Sequence, residues 1–217
     1  MKCTFCNYPA GFLKLYHKEC FEQTKKMVDI IERILNEYAH DGMDPSVAKM
    51  AIIETAKRDE LFQNYLKQST KFSGMNSIET VIWKEDAITI WEYKKWKQMI
   101  RTGSSYERHP VWKNEQVLLG KMERVIFTDK SVCLEIKTKP IIYSYKEIIR
   151  VGFDKIFNQV FFDVKTSSDT PHRFLIRAYD RKQAEKIDNI CLLLAVMSGQ
   201  KNEVIIESKE IMEQKRR

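Results

Sequence analysis

The sequence contains little glycine and little proline, with seven and five residues among 217. Long flexible linkers are rich in such residues, so we expect the chain to be folded over most of its length. No apolar run approaches the ~20 residues that cross a bilayer, and we expect no transmembrane segment. Residues 1–20 also lack the apolar run of a secretory signal. These absences favour a cytoplasmic protein with reduced thiols.

Blocks of like charge are absent too, although the net charge is +7. A positive surface can attract nucleic acid or anionic lipid. Here the basic residues are spread among acidic ones, which is typical of a solvated, mildly basic surface. The composition, 43% hydrophobic and 11% aromatic, is that of a globular protein with a substantial core.

Four of the few cysteines and histidines lie close together near the start of the chain, at Cys3, Cys6, His17 and Cys20. Two cysteines three residues apart can bind one metal ion from a tight turn, and His17 and Cys20 share one side of a starting helix. Three thiolates and one imidazole complete a tetrahedral Zn²⁺ shell with no position left for water. We therefore predict a structural zinc site with these four ligands.

Two other interpretations of this cluster predict different chemistry. A redox pair of Cys3 and Cys6 would be expected before a helix in a βαβ unit, which the sequence does not show. A catalytic zinc ion would need an open coordination position and a nearby acidic general base. Neither feature is visible in the sequence.

The first hundred residues read mainly as helices. Apolar positions at steps of three and four predict a helix over residues 16–38. A second helix is predicted from Asp44, an N-cap followed by Pro45 at the first helical position, to about Lys71. A third helix is predicted from about Glu85 to Ile100, with a short strand at residues 80–83 as an alternative for its start.

From residue 110 onward the hydrophobic period changes to two, which predicts antiparallel strands covered on one side. A closing helix follows, with a cap at Asp180 and a buried stripe of Ile187, Cys191, Leu194 and Met197. The sequence therefore predicts an α+β fold. Its expected parts are a zinc-stapled helical region at 1–103, a strand-rich domain at 110–199 and a charged tail at 200–217.

Two segments of the strand-rich part carry a family resemblance: Val-Ile-Phe-Thr-Asp-Lys-Ser at 125–131 and Tyr-Ser-Tyr-Lys-Glu-Ile-Ile-Arg-Val at 143–151. With the strands and helix that follow, residues 115–197 resemble bacterial pleckstrin-homology-like (PH-like) and GRAM-type domains. The resemblance implies an antiparallel β-barrel closed by the C-terminal helix, and a module that binds protein or anionic lipid. The nearest candidates for lipid contacts are Lys130, Lys137 and Lys139.

The N-terminal cluster resembles treble-clef and LIM-type zinc knuckles in ligand types and order. It differs from a LIM module in its shorter middle spacing and in having a single four-ligand cluster. We carry over metal ligation alone, to Cys3, Cys6, His17 and Cys20.

Signatures of catalysis are absent from the sequence, which has no serine nucleophile elbow, P-loop or dinucleotide fingerprint. Cys133 is expected on the mixed face of its strand and Cys191 in the core, and no pattern ties either thiol to a histidine. We therefore expect a non-enzymatic adaptor or regulatory protein that recognises another protein. The alternative is a nucleic-acid-binding zinc protein that uses a basic, aromatic helix at residues 91–97.

Overall fold

The computed structural model describes residues 1–11, 14–67, 79–101, 108–137, 139–154, 157–166, 171–179 and 184–200, with the backbone alone at 94–101, 108–114 and 184. Three helices come first: α1 (Lys18–Asp41), α2 (Pro45–Arg58) and α3 (Glu60–Lys67). Seven strands follow: β1 (Val81–Arg101), β2 (Arg108–Thr128), β3 (Ser131–Glu135), β4 (Ile141–Ser144), β5 (Ile148–Asp154), β6 (Gln159–Val164) and β7 (His172–Ala178). Helix α4 (Ala184–Ser198) follows the last strand. The α+β class is confirmed.

The first two predicted helices are present, and their boundaries have local causes. Helix α1 ends at Gly42, whose φ of 69° is the left-handed conformation that glycine adopts easily. Asp44 caps α2 by accepting a hydrogen bond from the Ser46 N–H at 2.8 Å. The predicted continuation of this helix to Lys71 is wrong, because α2 stops at Arg58. Asp59 has an extended backbone, and its carboxylate accepts the Phe62 N–H and starts α3.

The predicted helix from Glu85 to Ile100 is also wrong, since this segment belongs to the 21-residue strand β1. The strand begins at Val81, close to the short strand weighed for residues 80–83. Strand β1 pairs with β2 on one side and with β7 on the other. Its β-branched and aromatic residues suit such a doubly paired strand, and this pairing outweighs the helical spacing of Ile88, Trp91, Trp96 and Met99.

All seven strands form one antiparallel sheet in the order β4-β3-β2-β1-β7-β6-β5. The expected closed barrel is wrong, because no ladder joins the two edge strands β4 and β5 within the described residues. These edges are nevertheless neighbours in sequence, connected by a 3₁₀ turn at Tyr145–Glu147. Helix α4 packs against β5, β6, β7 and this turn, and also contacts α1 and α2.

The strands are covered more completely than their alternating pattern predicts. Every residue of β6 is buried, and in β3 only the last residue is partly exposed. Because successive residues of a strand point to opposite faces, both faces of these strands are covered. The expectation of one-sided cover is therefore wrong for β3 and β6, and Cys133 is buried with its neighbours.

One hydrophobic core runs through the helices and the sheet. It includes Ile31 of α1, Ile52 of α2, Phe62 of α3, Ile88 of β1 and Leu194 of α4. Strands β1 and β2 lie on opposite sides of the predicted boundary at 103–110, yet they pair along their length. The ranges 1–103, 110–199 and 200–217 remain predictions, and residues 180–183, with the predicted Asp180 cap, and 201–217 lie outside the described residues.

Candidate metal centre

A tight turn at the start of the chain positions Cys3 and Cys6. The Cys3 N–H donates to the Tyr8 carbonyl at 2.7 Å, and the Asn7 N–H donates to the Cys3 carbonyl at 3.0 Å. A bridge between Lys2 and Pro9 closes the loop. Asn7 has a φ of 60°, a left-handed conformation that asparagine tolerates better than most residues. The turn therefore keeps both thiols on one side of a short backbone loop.

The other two candidate ligands lie at the beginning of α1. His17 is the N-cap residue of this helix, and Cys20 follows three residues later within the first turn. The N-terminus of a helix carries partial positive charge from its free N–H groups, which favours the thiolate form of a nearby cysteine. The start of α1 thus supplies two of the candidate ligands, and the His17 N–H at this end donates to the Cys3 sulfur at 3.4 Å.

The four side chains converge, with one donor atom of each lying within 4.8 Å of the others. The Cys6 sulfur is 3.3 Å and the Cys20 sulfur 3.8 Å from His17 Nδ1. Metal–sulfur bonds of about 2.3 Å and metal–nitrogen bonds of about 2.0 Å place tetrahedral ligands roughly 3.5–3.8 Å apart. The group could therefore hold a metal ion, as the sequence spacing predicted.

The carbonyl group of Pro9 sets the orientation of the His17 ring. His17 Nε2 lies 3.0 Å from the carbonyl oxygen of Pro9. A carbonyl can only accept a hydrogen bond, so Nε2 carries the proton and Nδ1 presents its lone pair to the three sulfurs. Such a second contact, which fixes the tautomer, is typical of metal-binding histidines.

The thiols differ in their tendency to ionise. Burial opposes ionisation of Cys3, but hydrogen bonds from the backbone N–H groups of Cys6, His17 and Phe5 outweigh it and lower its pKa to about 6. Burial raises the pKa of Cys20 to about 11, with hydrogen bonds and negative charge from Cys6 and Cys3 adding to the effect. Neighbouring thiolates repel one another, and a cation placed between them would remove that conflict.

A small hydrophobic cluster, separate from the main core, surrounds the site. Its buried members are Cys3, Phe5 and Ala10. The Phe5 ring lies 5.4 Å from the ring of Tyr65 on α3 and contacts the rings of Tyr16 and Phe21 edge-on. Aromatic contacts therefore join the turn that carries Cys3 and Cys6, the candidate metal-binding loop, to the helices. The sequence analysis missed this role of Phe5. The signal in the sequence is the position of an aromatic residue between two cysteines.

The remaining cysteines lie in the main core. Cys133 has no exposed surface and Cys191 is 6% exposed. Burial raises the pKa of each thiol to about 12. Both are therefore held as thiols at neutral pH, and the core position expected for Cys191 is confirmed.

The residues considered for lipid and nucleic acid lie elsewhere. Lys130, Lys137 and Lys139 are exposed. Residues 91–97 lie on β1, so the expected helical surface there is wrong, and the side chains from residue 94 onward lie outside the described part. Within the described residues, every helix is too short or too polar to cross a bilayer.

A scan against protein-family models finds no family that matches this chain, and a search of curated proteins finds no match either.

Proposed function

We propose that Cys3, Cys6, His17 and Cys20 bind one zinc ion in a structural site. Three thiolates and an imidazole are a soft ligand set that suits Zn²⁺, and four protein ligands leave no position for a substrate. The observation that carries the proposal is the convergence of the four donors, with the His17 ring fixed by the Pro9 carbonyl. Thiolate ligands also need a reducing compartment, which supports a cytoplasmic location.

The metal content of purified, reduced protein tests this proposal directly. We expect one zinc ion per chain by elemental analysis, and near-zero zinc in Cys6→Ser and Cys20→Ser. Cys133→Ala is the matched control, because it removes a buried cysteine outside the cluster. Near-zero zinc in a folded, reduced wild-type sample would contradict the proposal.

We further propose that the protein is a non-enzymatic adaptor whose PH-like sheet and closing helix recognise another protein. The open edges of the sheet support this role, because an exposed edge strand can pair with an extended segment of a partner. Ile142 on edge strand β4 and Ile149 on edge strand β5 are 42% and 45% exposed. Each edge strand therefore carries an exposed apolar side chain.

Affinity capture from the native cell followed by edge variants tests the adaptor role. A lysine on an edge strand disfavours pairing without changing the core. We expect one of the two variants, Ile142→Lys or Ile149→Lys, to lose a partner that the wild type captures. The variant on the other edge should retain the partner and serves as the control. Retention by both variants would exclude binding through a sheet edge.

One observation favours a second candidate, the binding of double-stranded nucleic acid. Within the described residues, strand β1 pairs with β7 over Ile88–Tyr93, whereas its ladder with β2 continues to Arg101 and Arg108. Eight residues of two-stranded ribbon, about 26 Å at ~3.3 Å per residue, thus extend beyond the wider sheet. The ribbon contains Lys94, Lys95, Lys97, Arg101, Arg108 and Lys113 in its sequence. A two-stranded ribbon can enter the major groove of DNA.

Salt dependence with charge-matched variants tests this candidate. We expect duplex DNA to bind the wild type. The binding constant falls as salt is added, and in the triple variant Lys94→Gln/Lys95→Gln/Lys97→Gln the slope of log K against log salt should be shallower by about 3. The control removes three exposed lysines elsewhere, Lys130, Lys137 and Lys139, and should leave the slope unchanged. Equal losses in both triple variants would indicate general charge attraction. Binding to anionic vesicles that is lost only with Lys130, Lys137 and Lys139 would favour the lipid role instead.

A further inference from the structure

A cavity of about 270 Å³ lies where helices α1, α3 and α4 meet strand β1, and none of the four candidate metal ligands lines it. Its lining combines apolar side chains with an excess of acidic ones. The apolar side is formed by Val28, Phe62, Leu66 and Trp83, and the acidic residues are Glu32, Glu85, Asp86 and Glu185. Concave sites of this mixed kind, placed between structural layers, are typical of small-molecule binding.

Glu85 is the most buried carboxylate of this cavity, at 8% exposure. One oxygen accepts a hydrogen bond from the indole N–H of Trp83 at 3.0 Å, and the other lies 3.7 Å from the ammonium group of Lys186. That ion pair is longer than a direct hydrogen bond. Burial raises the pKa of Glu85 to about 7, with Lys186 only partly offsetting it. The carboxylate is therefore incompletely compensated by the protein.

The two lysines of the cavity leave room for a further cation. The Lys84 ammonium donates to the Tyr65 carbonyl at 2.8 Å and lies over the Tyr65 ring. Lys186 lies 3.5 Å from the carbonyl oxygen of Asp86 as well as near Glu85. Arg124, across the sheet on β2, pairs with Asp86 and Glu135. Among the described residues, the ion pair recorded for Glu85 is the one with Lys186.

The backbone beside Glu85 is distorted in a way that favours a binding role. Glu85 pairs with Val125 and Ile88 with Glu123, so β1 has one extra residue here and forms a β-bulge. Ala87 in this bulge has a φ of 61°, a left-handed conformation that is strained for a residue with a Cβ atom. Bulges and such strained residues are enriched beside functional sites, where they redirect side chains.

We propose that this cavity binds a small organic cation that has an ammonium group on a compact apolar body. The ammonium group pairs with the Glu85 carboxylate, and the apolar body packs against Phe62, Leu66 and Trp83. The cavity shares the Tyr65 side chain with the cluster around Phe5, but its lining includes none of the four candidate metal ligands and no residue of edge strands β4 and β5. The proposal therefore does not depend on the proposed function.

The test uses benzylamine and benzyl alcohol, two probes of similar shape that differ in charge. The indole N–H resonance of Trp83 reports binding by NMR, because this group contacts Glu85 directly. At pH 8 we expect saturable benzylamine binding at least tenfold tighter than benzyl alcohol binding, and at least a tenfold loss in Glu85→Gln. Equal affinity for the two probes, no saturable benzylamine binding, or full binding by Glu85→Gln would overturn the proposal.

Two further variants separate a folding effect from a loss of the site. Glu92→Gln neutralises another buried carboxylate of β1 that does not line the cavity, and should bind benzylamine as the wild type does. Val28→Phe fills the cavity and leaves Glu85 in place, so binding should fall at least tenfold with the fold retained by circular dichroism. Unchanged binding in Val28→Phe would overturn the assignment of the cavity.

The pH dependence provides an independent readout. The charged groups around Glu85 are Lys84 and Asp86 on β1, Arg124 on β2, Glu185 and Lys186 on α4 and Glu32 on α1. Benzylamine remains protonated over the range tested, so its binding should weaken as the pH falls through about 7 and Glu85 takes up a proton. Benzylamine affinity that is constant between pH 5 and pH 8 would contradict the role of Glu85.

Discussion

The metal-binding loop and the sheet–helix region are stabilised in different ways. Among the described residues, the buried cluster of the loop consists of Cys3, Phe5 and Ala10, together with a few backbone hydrogen bonds. The sheet–helix region has a continuous core with buried residues from all four helices and from six of the seven strands, and Ile141 and Tyr143 of β4 pack against it. A small element cannot bury enough apolar surface to offset its conformational entropy, so it needs another source of stability. The difference predicts that metal controls the loop, and packing controls the rest.

Removing the metal should have the largest effect, and it should be confined to the loop. Binding of structural zinc contributes on the order of 10 kcal/mol in small zinc domains. In Cys6→Ser or Cys20→Ser we expect amide hydrogens of the loop, including those of Cys3 and Asn7, to lose protection from exchange. Amides of β6 and β7 should keep theirs, with Cys133→Ala as the control. Loss of protection in both regions would show that the loop and the core fold as one unit.

Truncating a core aromatic residue should destabilise the sheet–helix region and leave the metal site unchanged. Phe162 has no exposed surface and stacks on Phe174 at 5.3 Å between ring centroids. Phe162→Ala should lower the free energy of unfolding by about 3–5 kcal/mol because it leaves a cavity. Denaturant unfolding measures the loss, and the folded variant should still contain one zinc ion. A loss below about 1 kcal/mol would contradict the central place of this residue in the core.

The stability of the sheet–helix region should depend on pH through the protonation of Glu85. The pKa of this residue is about 7 in the folded protein against an ordinary value of 4.5. The folded state therefore binds the proton more tightly than the unfolded state, and stability should fall by up to about 3 kcal/mol as the pH rises from 4.5 to 7. Denaturant unfolding of the wild type and of Glu85→Gln at each pH measures this term. An identical pH profile for both would refute the assignment.

The smallest expected effect concerns a single helix start. Asp59 accepts the Phe62 N–H at 2.8 Å at the beginning of α3, the helix that contacts the metal-binding loop through Tyr65. Asp59→Ala should cost about 1 kcal/mol, whereas Asp59→Asn keeps an oxygen acceptor and should cost less. Zinc content should be unchanged in both. Equal losses in the two variants would show that the cap is not the source of the effect.

The candidate metal site was largely predictable from the sequence because its ligands are local. Cys3 and Cys6 share one turn, and His17 and Cys20 share one helical turn, so spacing alone constrains their geometry. The Pro9 carbonyl beside His17 was not predictable, since a backbone acceptor leaves no side-chain signature. The contact between Phe5 and Tyr65 was equally hidden, because it joins residues sixty positions apart.

The fold was predictable where local signals agree with tertiary contacts. The cap and proline at the start of α2 are read from neighbouring residues, and the structure confirms them. Strand β1 has helical spacing in part of its sequence, yet its state follows from pairing with β2 and β7, which are distant in the chain. The cavity beside Glu85 has the same origin, since four separate elements contribute its lining.

The sequence by itself determined the α+β class, the capped start of α2 and the grouping of four metal-binding side chains. Only the tertiary structure decided that β1 is a strand, that the sheet stays open, and that Glu85 is buried beside a cavity. The physical reason is the separation of the interacting residues along the chain. Caps, turns and ligand spacings depend on residues a few positions apart. Strand pairing and burial depend on which distant segments compete for the same surface.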